Sequence, residues 1–174
     1  MMRKLAATAF LAFAVGSAAF AKEDSKLNDA QIAHIAYTAG EIDIAAGKQA
    51  LAKSQDAMVR AFADQMVRDH TAVNDQALAL VKKLGVTPEP NPTSTALSDA
   101  AAKKLAEDAK LSGRAYDKAY IENEVAFHKT VNGALSNTLI PNAKNTELKQ
   151  LLQTGLKLFQ EHQEHAEHLA ANFH

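Results

Sequence analysis

The sequence predicts an all-α protein built around a four-helix bundle. The chain has 174 residues with only seven Gly and four Pro, and it is rich in Ala, Leu and Lys. This composition favours helix. Three of the prolines lie in one stretch, VTPEPNPTST (residues 86–95), which separates two pairs of long segments with helical periodicity. Four amphipathic helices bury their apolar faces best against one another, which predicts the bundle.

The first 21 residues have the pattern of a secretory signal peptide. Arg3 and Lys4 precede an apolar run, and small residues then end in Ala19-Phe20-Ala21, an A-x-A cleavage site. The apolar run is shorter than the roughly 20 residues that a membrane-spanning helix needs. We therefore expect cleavage after Ala21, a mature chain (22–174) that forms one domain without a transmembrane segment, and a periplasmic or secreted location.

Charge and cysteine content exclude several classes of protein. The chain has 19 Lys and Arg against 20 Asp and Glu, a formal net charge of −1, and loss of Arg3 and Lys4 would bring the mature chain to −3. So mild a charge does not favour nucleic acid as a partner. The absence of Cys excludes disulfides, thiolate zinc sites and c-type haem attachment. The composition neither favours nor excludes a protein partner or a homo-oligomer.

Capping residues and helix breakers delimit the first pair of helices. Asn28-Asp29 can start a helix over about residues 28–53. Ser54 as N-cap and Asp56 as a first-turn acid predict a second helix over about 54–84. Gly85 then ends it as the C′ residue.

The second pair of helices follows the proline-rich stretch, which is predicted to be a linker without helix. A short helix is expected over about 98–110, with a break near Ser112-Gly113. A third long helix covers about 114–139, the sequence IPNAKN turns the chain, and a fourth covers about 145–172. The linker and the short helix together reach roughly 50 Å, against about 45 Å for a thirty-residue helix. A crossover along the whole bundle, as in ferritin-like topology, is therefore long enough, and a folded-back cap is the alternative.

Polar residues interrupt the apolar face of each long helix. At 100° per residue, His162 falls near the centre of the apolar face of the fourth helix, with His165 to one side, whereas His168 points to solvent. The same rotation places polar residues at or near the apolar faces of the other three helices. The candidate ligands of a metal site are Asp43, Asp69, His70, Glu124, His128, His162 and His165.

Two interpretations of these residues are open. An unpaired carboxylate in a core costs several kcal/mol, so buried acids are expected to be paired or to coordinate a cation. Imidazole and carboxylate together suit Fe, Mn, Zn, Cu or Ni rather than Ca. The alternative is a hydrogen-bonded network of His, carboxylate and Tyr side chains that fixes helix register without a metal.

Motif tests do not favour an enzyme. Ferritin-like di-iron sites use Glu-x-x-His on two helices, and this chain has no such motif. Its nearest pairs, Glu124/His128 and Glu161/His165, are four residues apart, which aims the side chains differently. The sequence also contains no nucleophile motif and no Gly-rich phosphate loop.

Three blocks of sequence resemble a known family: GEIDIAAGKQALAKSQDAMVRAFADQMVRDHTAVND, LSGRAYDKAYIENEVAFHKTV and EHQEHAEHL. They are similar to the exported bacterial family called domain of unknown function 4142, which is placed among ferritin-like folds and often labelled a predicted outer-membrane protein. The resemblance covers nearly all of residues 27–170, and Tyr116 replaces the usual Phe of the second block. It implies that the family's acid on the first helix is Asp43 and its histidine on the fourth is His165. It implies a fold and an exported location but no activity.

Two functions therefore fit the sequence. One is an exported metal-binding bundle that acts in storage, buffering or stress protection. The other is a structural, interaction or stress-response bundle with a hydrogen-bonded polar core.

Overall fold

The all-α fold is confirmed. The computed structural model describes residues 26–173, and in this part of the chain the regular elements are all helical. They are α1 (Asp29–Lys53), α2 (Ala57–Leu84), α3 (Pro92–Asp108), α4 (Gly113–Ala134), a π-helical turn (Leu135–Leu139), α5 (Ile140–Asn142) and α6 (Thr146–Ala170). None of these helices combines the length and apolarity needed to cross a membrane. The proposed signal peptide lies outside the described residues.

The four long helices α1, α2, α4 and α6 form the predicted bundle. The most extensive packing is between α1 and α2 and between α4 and α6. Helix α2 also packs against α6, and α1 packs against α4. The order around the bundle is therefore α1, α2, α6, α4, with α2 and α4 on opposite corners.

The middle connection is a crossover along the bundle rather than a folded-back cap. At the start of α3, Asn91 Nδ2 donates to the Gln31 carbonyl of α1 over 3.3 Å. Just after the end of α3, the Ala109 carbonyl accepts a hydrogen bond of 2.8 Å from Nζ of Lys53, which is the last residue of α1. Helix α3 therefore runs beside α1 in the same direction and carries the chain from one end of the bundle to the other.

The prediction that the whole proline-rich stretch is a non-helical linker is wrong for its last residues. Helix α3 begins at Pro92 rather than near residue 98. Asn91 caps it, because its side chain accepts from Ser94 N over 3.1 Å and its own N–H donates to Ser94 Oγ over 3.1 Å. Pro92 occupies the first helical position, where its missing N–H has no intrahelical partner to lose.

Two further boundaries differ from the prediction. Asp56, not Ser54, caps α2: its Oδ1 accepts from Met58 N over 2.9 Å and from Val59 N over 3.1 Å. Ser54 instead ends α1, where its N–H donates to the Ala50 carbonyl over 2.8 Å. In the sequence IPNAKN, only the last three residues turn the chain, since Ile140–Asn142 is helical.

Two apolar clusters fill the bundle, one in each half. The first, near the start of α1, includes Ile32, Ile35, Leu97, Leu135 and Phe159. The second, near its end, includes Val59, Phe62, Met66, Tyr116, Ile121 and Ala166. Along each long helix the two clusters are separated by buried polar side chains, so the middle of the bundle is a polar layer.

Helical periodicity predicts that the apolar face of α2 consists of Met58, Phe62, Met66, Val73, Leu80 and Leu84. In the structure Met58 does not belong to the buried face. Its exposed fraction is 51%, whereas Val59 is fully buried. Each step of four residues along a helix turns by about 40° beyond a full turn, so Met58 lies about 80° away from Met66. A series of residues spaced by four therefore turns gradually away from the buried face of the helix.

Two glycines bring α1 close to α2 on either side of the polar layer. A Cβ at Gly40 would lie 2.3 Å from Asn74 Oδ1, and one at Gly47 would lie 2.8 Å from Val67 Cγ2. The Cβ at Gly47 would also lie 3.0 Å from the Ala63 carbonyl oxygen, so the helices would have to separate there, whereas at Gly40 the Asn74 side chain would have to move. The close approach brings Asp43, between the two glycines, near His70 of α2.

Candidate metal centre

Every long helix contributes at least one side chain to the polar layer at the middle of the bundle. Its members are each at most 2% exposed, and they are Asp43 of α1, His70 of α2, Glu124 and His128 of α4, and His162 of α6. All five were among the seven residues predicted from the sequence.

Three imidazoles from three different helices face one another in this layer. The ring centroids of His70 and His162 are 5.3 Å apart, those of His128 and His162 5.5 Å, and those of His70 and His128 5.6 Å. When one nitrogen is taken from each ring, the three nitrogens lie within 4.8 Å of one another. Nitrogens bound to one tetrahedral ion at about 2.1 Å would be about 3.4 Å apart. Movements of about an ångström would therefore bring the three rings onto a common ion.

A carboxylate outside the triangle orients the ring of His162. Nε2 of His162 lies 3.1 Å from Asp69 Oδ2, and Asp69 Oδ1 also accepts from Arg68 Nε over 3.0 Å. Although partial burial opposes it, hydrogen bonds from His162 and Arg68 hold the pKa of Asp69 below its ordinary value. The ionised carboxylate requires Nε2 to carry the proton, which leaves the lone pair on Nδ1. That Nδ1 is buried and has no hydrogen-bond partner among residues 26–173.

A backbone carbonyl orients the ring of His128 in the same way. Its Nδ1 lies 3.0 Å from the Glu124 carbonyl oxygen, one turn earlier in α4, and can only donate to it. The lone pair is therefore on Nε2, which is also buried and unpartnered within the described chain. Metal-binding histidines usually have their second nitrogen fixed by a carboxylate or carbonyl, as His162 and His128 do.

His70 is held by packing instead of a hydrogen bond. Its ring stacks on Phe159, with centroids 4.6 Å apart and planes 14° from parallel. Its Nε2 lies 3.4 Å from Asp43 Oδ2, but neither ring nitrogen makes a hydrogen bond to any residue that the structure describes. Either nitrogen can therefore present a lone pair.

Burial keeps all three imidazoles neutral at pH 7. It lowers the pKa of His70, of His128 and of His162 from about 6.5 to about 4 in each case. For His128 the nearby Asp43 charge opposes this shift, while for His162 the neighbouring His70 reinforces it. The neutral ring is the form that binds a metal ion.

Two buried carboxyl groups adjoin the imidazoles. Asp43, Glu124 and His128 also offer three ligand atoms within 4.8 Å of one another. Burial raises the pKa of Asp43 to about 6, and the electrostatic interaction with His128 and the hydrogen bond to Glu124 oppose this rise. Burial, and then the charge of Asp43, raise the pKa of Glu124 well above its ordinary value. A cation at this position would favour the ionised form of both groups.

The remaining two predicted residues lie outside these groups. Asp69 is 18% exposed at its side chain and contacts the outer nitrogen of His162, so it orients a ring and does not face the triangle. His165 is half-buried, with Nδ1 3.1 Å from Gln65 Oε1 and its ring edge-on to Phe62 at 5.1 Å. Three residues after His162, it is about 60° away around the helix and about 4.5 Å further along it, in the second apolar cluster.

Two residues near the site, Tyr120 and Phe159, were not among the predicted ligands, although helical periodicity places both on the apolar faces of their helices. The Tyr120 hydroxyl is buried without a hydrogen-bond partner in the described residues. Burial, and then the charges of Glu124 and Asp43, raise its pKa well above 10. Phe159 supports His70. The sequence contained a signal for both residues. Tyr120 lies four residues before Glu124 and Phe159 lies three before His162, and residues at these spacings share a helix face.

The fold and the site define an all-helical bundle with a histidine and carboxylate cluster buried at its centre. The chain belongs to the family described as Domain of unknown function (DUF4142), whose pattern matches residues 14–169. This result agrees with the resemblance seen in the sequence. No curated protein and no solved structure was found to match the chain.

Proposed function

We propose that this protein is an exported helical bundle that binds a transition metal ion through His70, His128 and His162. Storage, buffering or stress protection is the role proposed for it. The observation that carries the proposal is that three neutral, buried imidazoles on three helices converge with lone pairs that no described residue uses.

The energetics of burial support this assignment. A buried polar atom left without a hydrogen bond costs about 1–3 kcal/mol. The imidazoles of the layer contain several such atoms: Nδ1 and Nε2 of His70, Nε2 of His128 and Nδ1 of His162. One cation bound at the centre would satisfy a lone pair from each ring, and its charge would favour ionised carboxylates beside it.

The composition of the site favours certain ions. It offers imidazole nitrogen with carboxylate oxygen and contains no thiolate, a set that suits Fe, Mn, Zn, Cu or Ni rather than Ca. Asp43 and Glu124 would add oxygen ligands or balance the charge of the ion.

The interpretation without a metal needs a closed hydrogen-bond network. Two of the histidine hydrogen bonds instead go to groups outside the triangle, from His162 to Asp69 and from His128 to the Glu124 carbonyl. The hydrogen bond between the Asp43 and Glu124 side chains and the 3.4 Å approach of His70 Nε2 to Asp43 close only part of a network, because Nδ1 of His162 and Nε2 of His128 have no partner among the described residues. These unpaired nitrogens favour a bound ion over a purely structural core.

The test is the metal content and the metal-linked stability of the purified protein. Ligand binding to the folded state raises the melting midpoint. We expect one of Zn, Mn, Fe or Cu to raise the midpoint of chelator-treated wild type, and to do so far less in the double variant His70→Ala/His162→Ala. The matched control, His34→Ala/His168→Ala, removes two histidines outside the cluster and should respond like wild type. If no metal stabilises wild type more than the His70/His162 variant, the proposal should be replaced by the structural interpretation.

Export is proposed on the sequence alone. Its support is the basic, apolar and small-residue pattern of residues 1–21, together with the resemblance to an exported family. A periplasmic or secreted bundle without Cys would have to bind its metal through the nitrogen and oxygen ligands described above.

A further inference from the structure

An apolar cavity of about 40 Å³ lies in the half of the bundle where α1 begins. Its lining comes from α1, α2, α3, α4, the π-helical turn and α6. Small residues on facing helices leave this space, namely Ala33, Ala36, Ala39, Ala77, Ala134 and Gly155.

The cavity offers no suitable place for water. Its one polar lining residue is Asn74, whose side-chain amide is directed to α1. There Nδ2 donates to Glu41 Oε1 over 2.8 Å, and Oδ1 lies against Gly40. A buried water needs about two to four polar partners, whereas apolar cavities stay dry and take apolar guests.

The volume restricts the size of a guest. A water-sized molecule needs roughly 10–15 Å³ by this measure, and a cavity that accepts benzene measures roughly 150 Å³. The observed 40 Å³ therefore suits one molecule of a few atoms and excludes an aromatic ring.

One aromatic ring separates this cavity from the histidine cluster. Phe159 lines the cavity and stacks on His70 at a centroid distance of 4.6 Å. Gly155 lies beside that ring, since a Cβ there would be in ordinary van der Waals contact with Phe159 Cε2 at 3.4 Å. A guest in the cavity would thus contact the residue that positions His70.

We propose that the cavity binds one small apolar gas molecule, of the size and polarity of dioxygen, beside the histidine cluster. The binding itself needs no metal. Its use as a supply of gas to a bound ion rests on the function proposed above.

Xenon is the probe for this site, because it is apolar, inert and independent of metal. Methyl NMR spectra of the chelator-treated protein would be recorded under increasing xenon pressure. We expect the methyl shifts of Val131, Leu135 and Leu148, which line the cavity, to change and saturate. The methyl shifts of Val59, in the other apolar cluster, should not saturate. Shifts that grow linearly at all positions would overturn the proposal.

Two cavity variants and a matched control complete the experiment. Ala77→Val fills the space and should weaken xenon binding at least tenfold, whereas Ala79→Val, the same change at an exposed position of α2, should bind like wild type. Leu135→Ala enlarges the cavity and should retain saturable binding. Wild-type affinity in Ala77→Val, or loss of saturation in Leu135→Ala, would refute the site. Xenon binding by a protein that no metal stabilises would refute only the proposed metal function.

Discussion

Nε2 of His162 donates to Oδ2 of Asp69 across 3.1 Å, joining α6 to α2 at the edge of the polar layer. This contact selects the tautomer of His162 and leaves the lone pair on Nδ1, which is buried and has no hydrogen-bond partner among the described residues. Asp69 was predicted as a metal ligand, and in the structure its carboxylate contacts His162 at the edge of the layer.

Asp69→Asn should therefore weaken metal binding without removing a ligand. The neutral amide no longer selects the tautomer that leaves Nδ1 free, and loss of such a partner typically costs 10–100-fold in metal affinity. Competition against a chromophoric chelator measures the change. The matched control is Asp64→Asn, an exposed acid on the same helix, which should leave affinity unchanged. Equal affinities for both variants would show that Asp69 does not position His162.

The two inward histidines of α6 should behave differently. His162→Ala removes a ligand and should lower metal affinity at least tenfold. His165→Ala should leave affinity unaltered but lower the free energy of unfolding by about 1–3 kcal/mol, through loss of the hydrogen bond to Gln65 and the edge contact with Phe62. Metal titration and urea denaturation of both variants provide the comparison. A large loss of affinity in His165→Ala would place that residue in the site after all.

The metal-free protein should lose stability as the pH falls from about 6.5 to 4. The folded pKa values of His70, His128 and His162 are near 4, so in this window the unfolded chain binds protons that the folded chain does not. Their contribution is complete above about 6.5 and is lost as pH falls. Asp43 and Glu124 oppose the trend, because their raised pKa values let the folded state keep protons that the unfolded state releases.

Urea denaturation at several pH values tests this balance. His70→Phe keeps an aromatic ring against Phe159 and removes one titrating group, so it should reduce the slope by up to about 1.4 kcal/mol per pH unit. His168→Gln, at an exposed position, serves as the control. A slope in His70→Phe equal to that of wild type would mean that His70 is not held neutral.

Phe62→Ala should destabilise the bundle by about 3–5 kcal/mol, through lost transfer energy and the cavity left behind. Phe62 is fully buried between α2, α4 and α6, against Tyr120 and His165. Met58→Ala, one turn away but half exposed, should change stability by no more than about 0.5 kcal/mol. Denaturation midpoints compare the two, and similar effects would mean that the buried face of α2 is misplaced.

The exported form should begin at Lys22. Cleavage after Ala21 follows from the A-x-A pattern at the end of the apolar run. Osmotic-shock release followed by intact-mass measurement checks both the location and the processed end. A released protein that still carries residues 1–21 would contradict the assignment.

The candidate site shows which of its features could be predicted from the sequence and which could not. Rotation by 100° per residue was enough to direct Asp43, His70, Glu124, His128 and His162 inwards. It could not separate these from Asp69 and His165, since a helical angle gives a side chain's direction but not the element that it meets. Asp69 meets the outer nitrogen of His162, and His165 meets Gln65 and Phe62.

The sequence by itself determined the helical class, the absence of disulfides and most of the caps, because these depend on composition and on contacts within a few residues. Asn28 and Gly85, for example, act within one turn of the helix that they delimit. Only the tertiary structure decided the crossover of α3, the order of the helices and the tautomer of His162. Those features depend on contacts between residues far apart in the chain, such as His162 and Asp69, which are 93 positions apart. A local pattern carries no information about which distant helix becomes the neighbour.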